Sequence, residues 1–148
     1  MIIISPYAKY MRNGQPHPKN YPWWREVIEE LKKDQHVIQV GIQGEEQLTE
    51  DFRVNLPLYE LAHLVDQCKT WASVDSFFQH FCWDLNKKGV AIFGQSDPNI
   101  FGHHENLNLL KDRSYLRPQQ FWLWEQCEFK EDAFVDPYIV VNAIRSLI

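Results

Sequence analysis

The sequence predicts an α/β domain of three layers, α/β/α, around a mostly parallel sheet of about six strands. Two patterns carry that prediction. Short apolar runs without alternation, Ile2-Ile3-Ile4 and Val90-Ala-Ile-Phe93, suit strands buried on both faces. Between them lie stretches whose apolar residues recur at helical spacing, and strands that alternate with helices argue for a parallel sheet.

The elements follow in order. Ile2–Ile4 is the first strand, and Ser5–Tyr21, with Pro6, Pro16 and Pro18, is a loop long enough to be functional. Pro22 suits a first helical position, and Trp24, Val27, Ile28 and Leu31 form the apolar stripe of the helix that follows. His36–Gly41 is a second strand, Gln43–Glu46 a polar turn, and Arg53–Asn55 a short third strand. From Pro57, the stripe Leu58, Leu61, Ala62, Val65 and Cys68 predicts a helix. Trp71–Val74 is the fourth strand and runs into Asp75-Ser76, an N-cap pair for a helix reaching about Leu85. Gly89–Phe93 and Asn106–Leu110 supply the fifth and sixth strands. Asp136-Pro137 caps and opens a last helix, whose apolar face is Val140, Ala143, Ile144 and Leu147. This is a Rossmann-like pattern, and such sheets bind ligands outside the carboxyl ends of their strands, near the switch point.

The bulk composition narrows the function. A chain of 148 residues, 45% hydrophobic and 24% charged, suits one globular domain and excludes disorder. Net charge is −5 with no basic run, so a general grip on nucleic acid has no basis, although a local phosphate site needs only a few N–H groups and a cation. Six Trp, six Tyr and nine Phe fill a core or form an interface, and the sequence leaves both open. Cys68, Cys82 and Cys127 show no zinc spacing, and they read as buried thiols in a reducing compartment. His17, His103 and His104 match no ligand spacing either, so no metal is expected. No apolar run approaches the roughly 20 residues of a membrane span, and no signal peptide is visible, so the expected location is cytoplasmic.

Several motifs are familiar in their order. Lys19-Asn-Tyr-Pro22 resembles the K-x-W-P of the heptosyltransferase family, and Leu56–Gln67, through Leu58, Glu60, Leu61, Ala62 and Leu64, its leucine-rich helix. Asp75-Ser-Phe-Phe-Gln-His80 resembles its D-(S/T)-G-x-x-H motif. Val90-Ala-Ile-Phe-Gly-Gln-Ser-Asp-Pro98 resembles its V-A-L-F-G-P-T-D-P strand and loop. The resemblance covers nearly the whole chain and corresponds to the C-terminal, donor-binding half of a GT-B glycosyltransferase.

It implies a site for a nucleotide-diphosphate sugar, often an ADP-linked heptose, with no cofactor. Lys19 would meet the phosphates, and Ser76 with the first turn of its helix would hold the diphosphate. Asp75 would lie near the sugar, His80, about one turn along the same helix, would point at the same ligand, and Glu45 or Glu46 would contact the ribose. Ser96 and Asp97 of the F-G-x-(S/T)-D-P loop complete the set. Each residue also has a plain structural use. Asp75 and Ser76 can cap a helix, His80 can sit in the core, Lys19 can be solvated, and Ser96-Asp97-Pro98 can make a turn.

The pattern departs from the family in two places. Phe77 stands where the family has a glycine that lets the diphosphate reach the backbone. The chain also starts at the first strand of the donor half, so the acceptor half and its carboxylate base are expected from a partner or a homo-oligomer. Asp75, Asp97 and Glu105 are the carboxylates within reach as stand-ins, and the family supports none of them as catalytic. Three readings remain: half of a transferase, a nucleotide-binding module without transfer, and a scaffold.

Overall fold

β1 (Ile2–Ser5) lies in the middle of a six-stranded sheet, flanked by β2 (Val37–Gly41) and β4 (Thr70–Val74). The computed structural model describes residues 1–148. Adding β3 (Asp51–Val54), β5 (Val90–Phe93) and β6 (Leu107–Leu110) gives the order β3-β2-β1-β4-β5-β6. Every neighbouring pair is parallel, so the sheet is wholly rather than mostly parallel.

The continuous apolar run of β1 has a direct cause. Ile2 and Ile4 join the core beneath α1 (Trp24–Leu31) and α5 (Pro137–Arg145). Ile3 joins the core beneath α2 (Leu58–Gln67) and α3 (Phe77–Asp84), on the other face. Successive side chains of a strand point to opposite faces, so a strand covered on both sides is apolar at every position. All three isoleucines are fully buried.

The α1 stripe forms as expected, with Trp24, Val27, Ile28 and Leu31 buried, but the helix starts at Trp24 rather than at Pro22. Tertiary contacts hold the preceding residues outside the helix. The Tyr21 hydroxyl donates to the Val135 carbonyl at 2.8 Å, and Tyr21 packs edge-on against Trp23, Trp24 and Phe134. Asp136 occupies the N-cap position of α5 with Pro137 behind it, yet its carboxylate makes no capping bond. β3 starts two residues earlier than expected, because Asp51 pairs with Ile38 across the ladder. One element escaped sequence reading: α4 (Pro98–Phe101), a single turn capped by Asp97, whose carboxylate accepts from the Asn99 N–H at 2.9 Å.

Between β6 and α5 the chain makes only three 3₁₀ turns, at Arg113–Tyr115, Trp124–Gln126 and Glu131–Ala133. Cys68 and Cys82 are buried and Cys127 is half-buried, all three as free thiols. Burial pushes the thiol pKa of Cys68 and Cys82 upward. The aromatic residues divide between core and surface. Trp71, Phe93 and Phe134 are fully buried, whereas Phe77, Phe121 and Trp122 are exposed. No helix is long and apolar enough to cross a membrane.

Trp71 shows how closely the core is fitted. Its indole N–H donates to the Lys87 carbonyl at 2.8 Å, and the ring lies against the backbone of Gly89. A Cβ at Gly89 would fall 2.2 Å from the indole. Gly89→Ala is therefore expected to cost about 1–3 kcal/mol by overpacking. Urea denaturation checks this, and an unchanged midpoint would show that the indole can move aside.

Candidate functional site at the switch point

The strand order reverses direction between β1 and β4, so the loops leaving their carboxyl ends part and open a crevice. A pocket of about 610 Å³ lies there, within the usual range for small-molecule sites. Ser5 at the end of β1, Gly41 at the end of β2 and Asp75 just past β4 all reach it.

The charged centre is an ion pair. Lys19, from the long loop after β1, places Nζ 3.2 Å from Asp75 Oδ2, and the Asp75 side chain is almost wholly buried. Gln79, fully buried one turn along α3, donates from Nε2 to Asp75 Oδ1 at 2.7 Å and fixes the carboxylate. That residue was invisible as a site residue, since a glutamine within Phe-Phe-Gln-His-Phe carries no motif signal.

Ser76 takes the N-cap position of α3 with extended backbone, and its hydroxyl makes no capping bond. Ser76 Oγ is buried and without a partner, and so is Gln79 Oε1. The expected Asp75-Ser76 cap is thus absent, because Asp75 is turned to Gln79 and Lys19. The helix start faces the pocket with its N-terminal dipole uncovered by a side-chain cap.

On the β2 side Glu45 lines the pocket, and its Oε1 accepts from the Ile42 N–H at 2.8 Å. Burial raises its pKa. Gly41 lies directly beneath it, and a Cβ there would displace the Glu45 carboxylate from this position. Glu46, the other acidic residue of that turn, is committed to Arg25 and to the Tyr7 hydroxyl. Leu56, Leu58 and Ile42 give the pocket an apolar wall. Phe77 also lines it, 60% exposed, with its ring tilted against Phe81 at 5.4 Å.

The remaining expected residues do not line the pocket. His80 pairs with His103, Nδ1 to Nε2 at 2.7 Å, and burial together with the His103 charge lowers its pKa. Ser96 is buried in the loop after β5. Asp97 caps α4 and is gripped by both terminal nitrogens of Arg113, at 3.0 and 2.8 Å, which holds its carboxyl below the usual range. Glu105 precedes β6 and therefore lies toward the amino ends of the strands, opposite the crevice.

An open parallel sheet in this order, with a cation and an uncapped helix start at its switch point, defines a doubly wound, Rossmann-like α/β domain. The chain belongs to glycosyltransferase family 9 (heptosyltransferase), whose model matches residues 1–115. Among solved structures it is similar to the ADP-heptose lipopolysaccharide heptosyltransferase II of E. coli, at 18% identity and a TM-score of 0.69, covering 99% of this chain and 46% of that one. It is also similar to E. coli heptosyltransferase WaaC with ADP, at 16% identity and a TM-score of 0.66, covering 99% and 44%. A family 9 glycosyl transferase from Veillonella parvula gives 15% identity and a TM-score of 0.71, covering 99% and 45%. The chain thus spans less than half the length of each. No curated protein matches it in sequence.

Because Asp97 serves the fold, Asp97→Ala is expected to lower stability, by about 1 kcal/mol from the lost cap alone. Asp97→Asn keeps an acceptor for the Asn99 N–H and recovers most of that loss. Thermal denaturation of both variants is the check, and equal loss in the two would place the effect on the Arg113 pair instead.

Proposed function

We propose that the chain is the donor half of a family 9 glycosyltransferase and holds a nucleotide-diphosphate sugar, of the ADP-heptose kind, in the switch-point pocket. The observation that carries the reading is the Lys19–Asp75 pair beside the uncapped start of α3. A diphosphate laid there would meet the Lys19 ammonium, the N-terminal dipole of α3 and the unpartnered Ser76 hydroxyl. Lys19 and the dipole supply the charge neutralisation that other enzymes take from a metal. Glu45, which lines the pocket, would accept from the ribose hydroxyls, and the apolar wall of Leu56, Leu58 and Ile42 suits a base. Asp75, already held by Gln79, would face the sugar.

Transfer also needs an acceptor surface and a base within hydrogen-bond reach of the acceptor hydroxyl. We assign both to a second domain or a second copy that closes over the carboxyl ends of the strands. The exposed Phe77, Phe121 and Trp122 favour such a cover, since aromatic residues are enriched at interfaces. Three free thiols suit the cytoplasm, where nucleotide sugars are made.

The test is a thermal-shift series with ADP-, UDP-, GDP- and CDP-linked sugars. At a hundredfold excess over Kd, the preferred ligand stabilises by about 2.7 kcal/mol. Lys19→Gln, checked for folding, is expected to weaken binding roughly tenfold or more, about 1.4 kcal/mol. If no nucleotide sugar shifts the wild type, the donor reading fails.

Phe77 supplies a separate prediction. Its ring already packs against Phe81, so the cavity stays open, but its Cβ keeps a diphosphate from closest approach to the first turn of α3. Phe77→Gly should therefore tighten binding of the preferred ligand, by roughly tenfold. Isothermal titration decides the matter, and weaker binding would mean that the ring stacks on the ligand instead.

A further inference from the structure

Lys19 lies near the end of a loop that leaves β1 at Ser5 and reaches α1 only at Trp24. A lysine on such a loop has a long, flexible stem, so its ammonium stays at a binding site only if something confines it. Asp75 attracts the charge from the α3 side. The indole of Trp124 supplies the rest, with Lys19 Nζ 5.2 Å from its ring centroid and the Phe101 ring 6.0 Å away. His17 packs on the same indole at 5.0 Å, and its Nδ1 accepts from the Lys19 backbone N–H at 3.2 Å. Burial, followed by the Lys19 charge, lowers the pKa of His17 to about 4, so at neutral pH it adds no competing cation.

Trp124 is itself firmly held, by residues beyond the 115 that the family model matches. The Arg117 guanidinium carbon sits 3.6 Å from the indole centroid. Arg117 is buried and donates from Nη2 to the Gln120 carbonyl at 3.1 Å and to the Trp122 carbonyl, folding 117–122 into a hook. The loop after β5 grips that hook. Gln120 Nε2 donates to the Gln95 carbonyl at 2.9 Å, its Oε1 accepts from the Asp97 N–H at 2.9 Å, and the Arg117 N–H donates to the Gln95 carbonyl at 3.1 Å. Gln95 Nε2 reaches further along, donating to the Glu128 carbonyl at 2.8 Å.

We infer that Trp124 is a positioning residue. Residues 117–128 form a strap, fastened to the loop after β5, that holds the indole against Lys19 and so aims the ammonium at the anion site. The inference rests on the reading that the pocket takes a nucleoside diphosphate. Trp124 acts through Lys19 and needs no contact with the ligand. The loop carrying Gln95 and Asp97 thereby serves the pocket from a distance, although it does not line it.

The test has one arm without ligand and one with it. In the free protein, the ring current of Trp124 should shift the Lys19 ε-methylene protons upfield. That shift is expected to vanish in Trp124→Ala, to survive largely in Trp124→Phe and to shrink in Gln120→Ala. In the second arm, ADP is titrated into each variant. Trp124→Ala should weaken ADP binding roughly five- to tenfold, on the scale of one cation–π contact. Trp124→Phe should restore most of it. In a Lys19→Gln background, Trp124→Ala should cause no further loss. An unaltered Lys19 shift, or the same loss with and without Lys19, overturns the inference. An intact ring-current pattern in a wild type that binds no ADP would instead sink the donor-site reading, and with it the ligand to which Lys19 is aimed.

Discussion

The position of β1 is the constraint on which the rest of the molecule depends. Paired on one edge with β2 and on the other with β4, both parallel, it has no free edge and no solvated face. Its neighbours are reached through crossovers that leave on opposite sides of the sheet, α1 on one and α2 on the other. The chain beyond Ser5 and the chain beyond Val74 must therefore diverge, and the crevice between them follows from topology before any side chain is chosen. Sequence then decides what fills it: a lysine from the first loop, and an aspartate with an uncapped helix start from the second.

Glutamines do much of the local fixing around that crevice. Gln39, fully buried on β2, accepts from Leu48 and Thr49 and donates to the Glu46 carbonyl, which sets the turn that presents Glu45. Gln79 holds Asp75 from within α3, and Gln95 with Gln120 fastens the strap. A glutamine both donates and accepts, so one buried side chain can satisfy several backbone groups of an irregular loop without bringing in a charge. The supports of the site are thus polar, while charge lines the pocket itself, at Lys9, Lys19, Arg53, Asp75 and Glu45.

Much of the fold was legible because it rests on patterns of a few residues. Unalternating strands announce a sheet covered on both faces, and helical stripes announce its covers. Boundaries were less legible where a distant partner decided them. Tyr21 bonds to Val135, over a hundred positions away, and so moves the start of α1 beyond Pro22. The pocket end of the site was legible in part. Lys19, Glu45, Asp75 and Ser76 do line one cavity, since each stands at the carboxyl end of a strand or on the loop that follows. Gln79 and Trp124 were not, because their importance lies in which neighbour they touch. No local pattern of residue types encodes that.

The most specific motif in the chain, Phe93-Gly-Gln-Ser-Asp-Pro98, illustrates the distinction. Gly94 leaves room for Phe134, whose ring would lie 2.8 Å from a Cβ at that position. Gln95 binds the strap, and Asp97 caps α4 and receives Arg113. Each of these residues is explained by what it holds within the chain. The motif thus lies beside the pocket without lining it. Gln95 stands where the family pattern has proline, so its side-chain bond to the Glu128 carbonyl is a feature of this chain rather than of the motif. One short loop here satisfies a helix cap, a bidentate ion pair and the strap at once, and closeness to the chemistry has to be read separately, from the walls of the pocket.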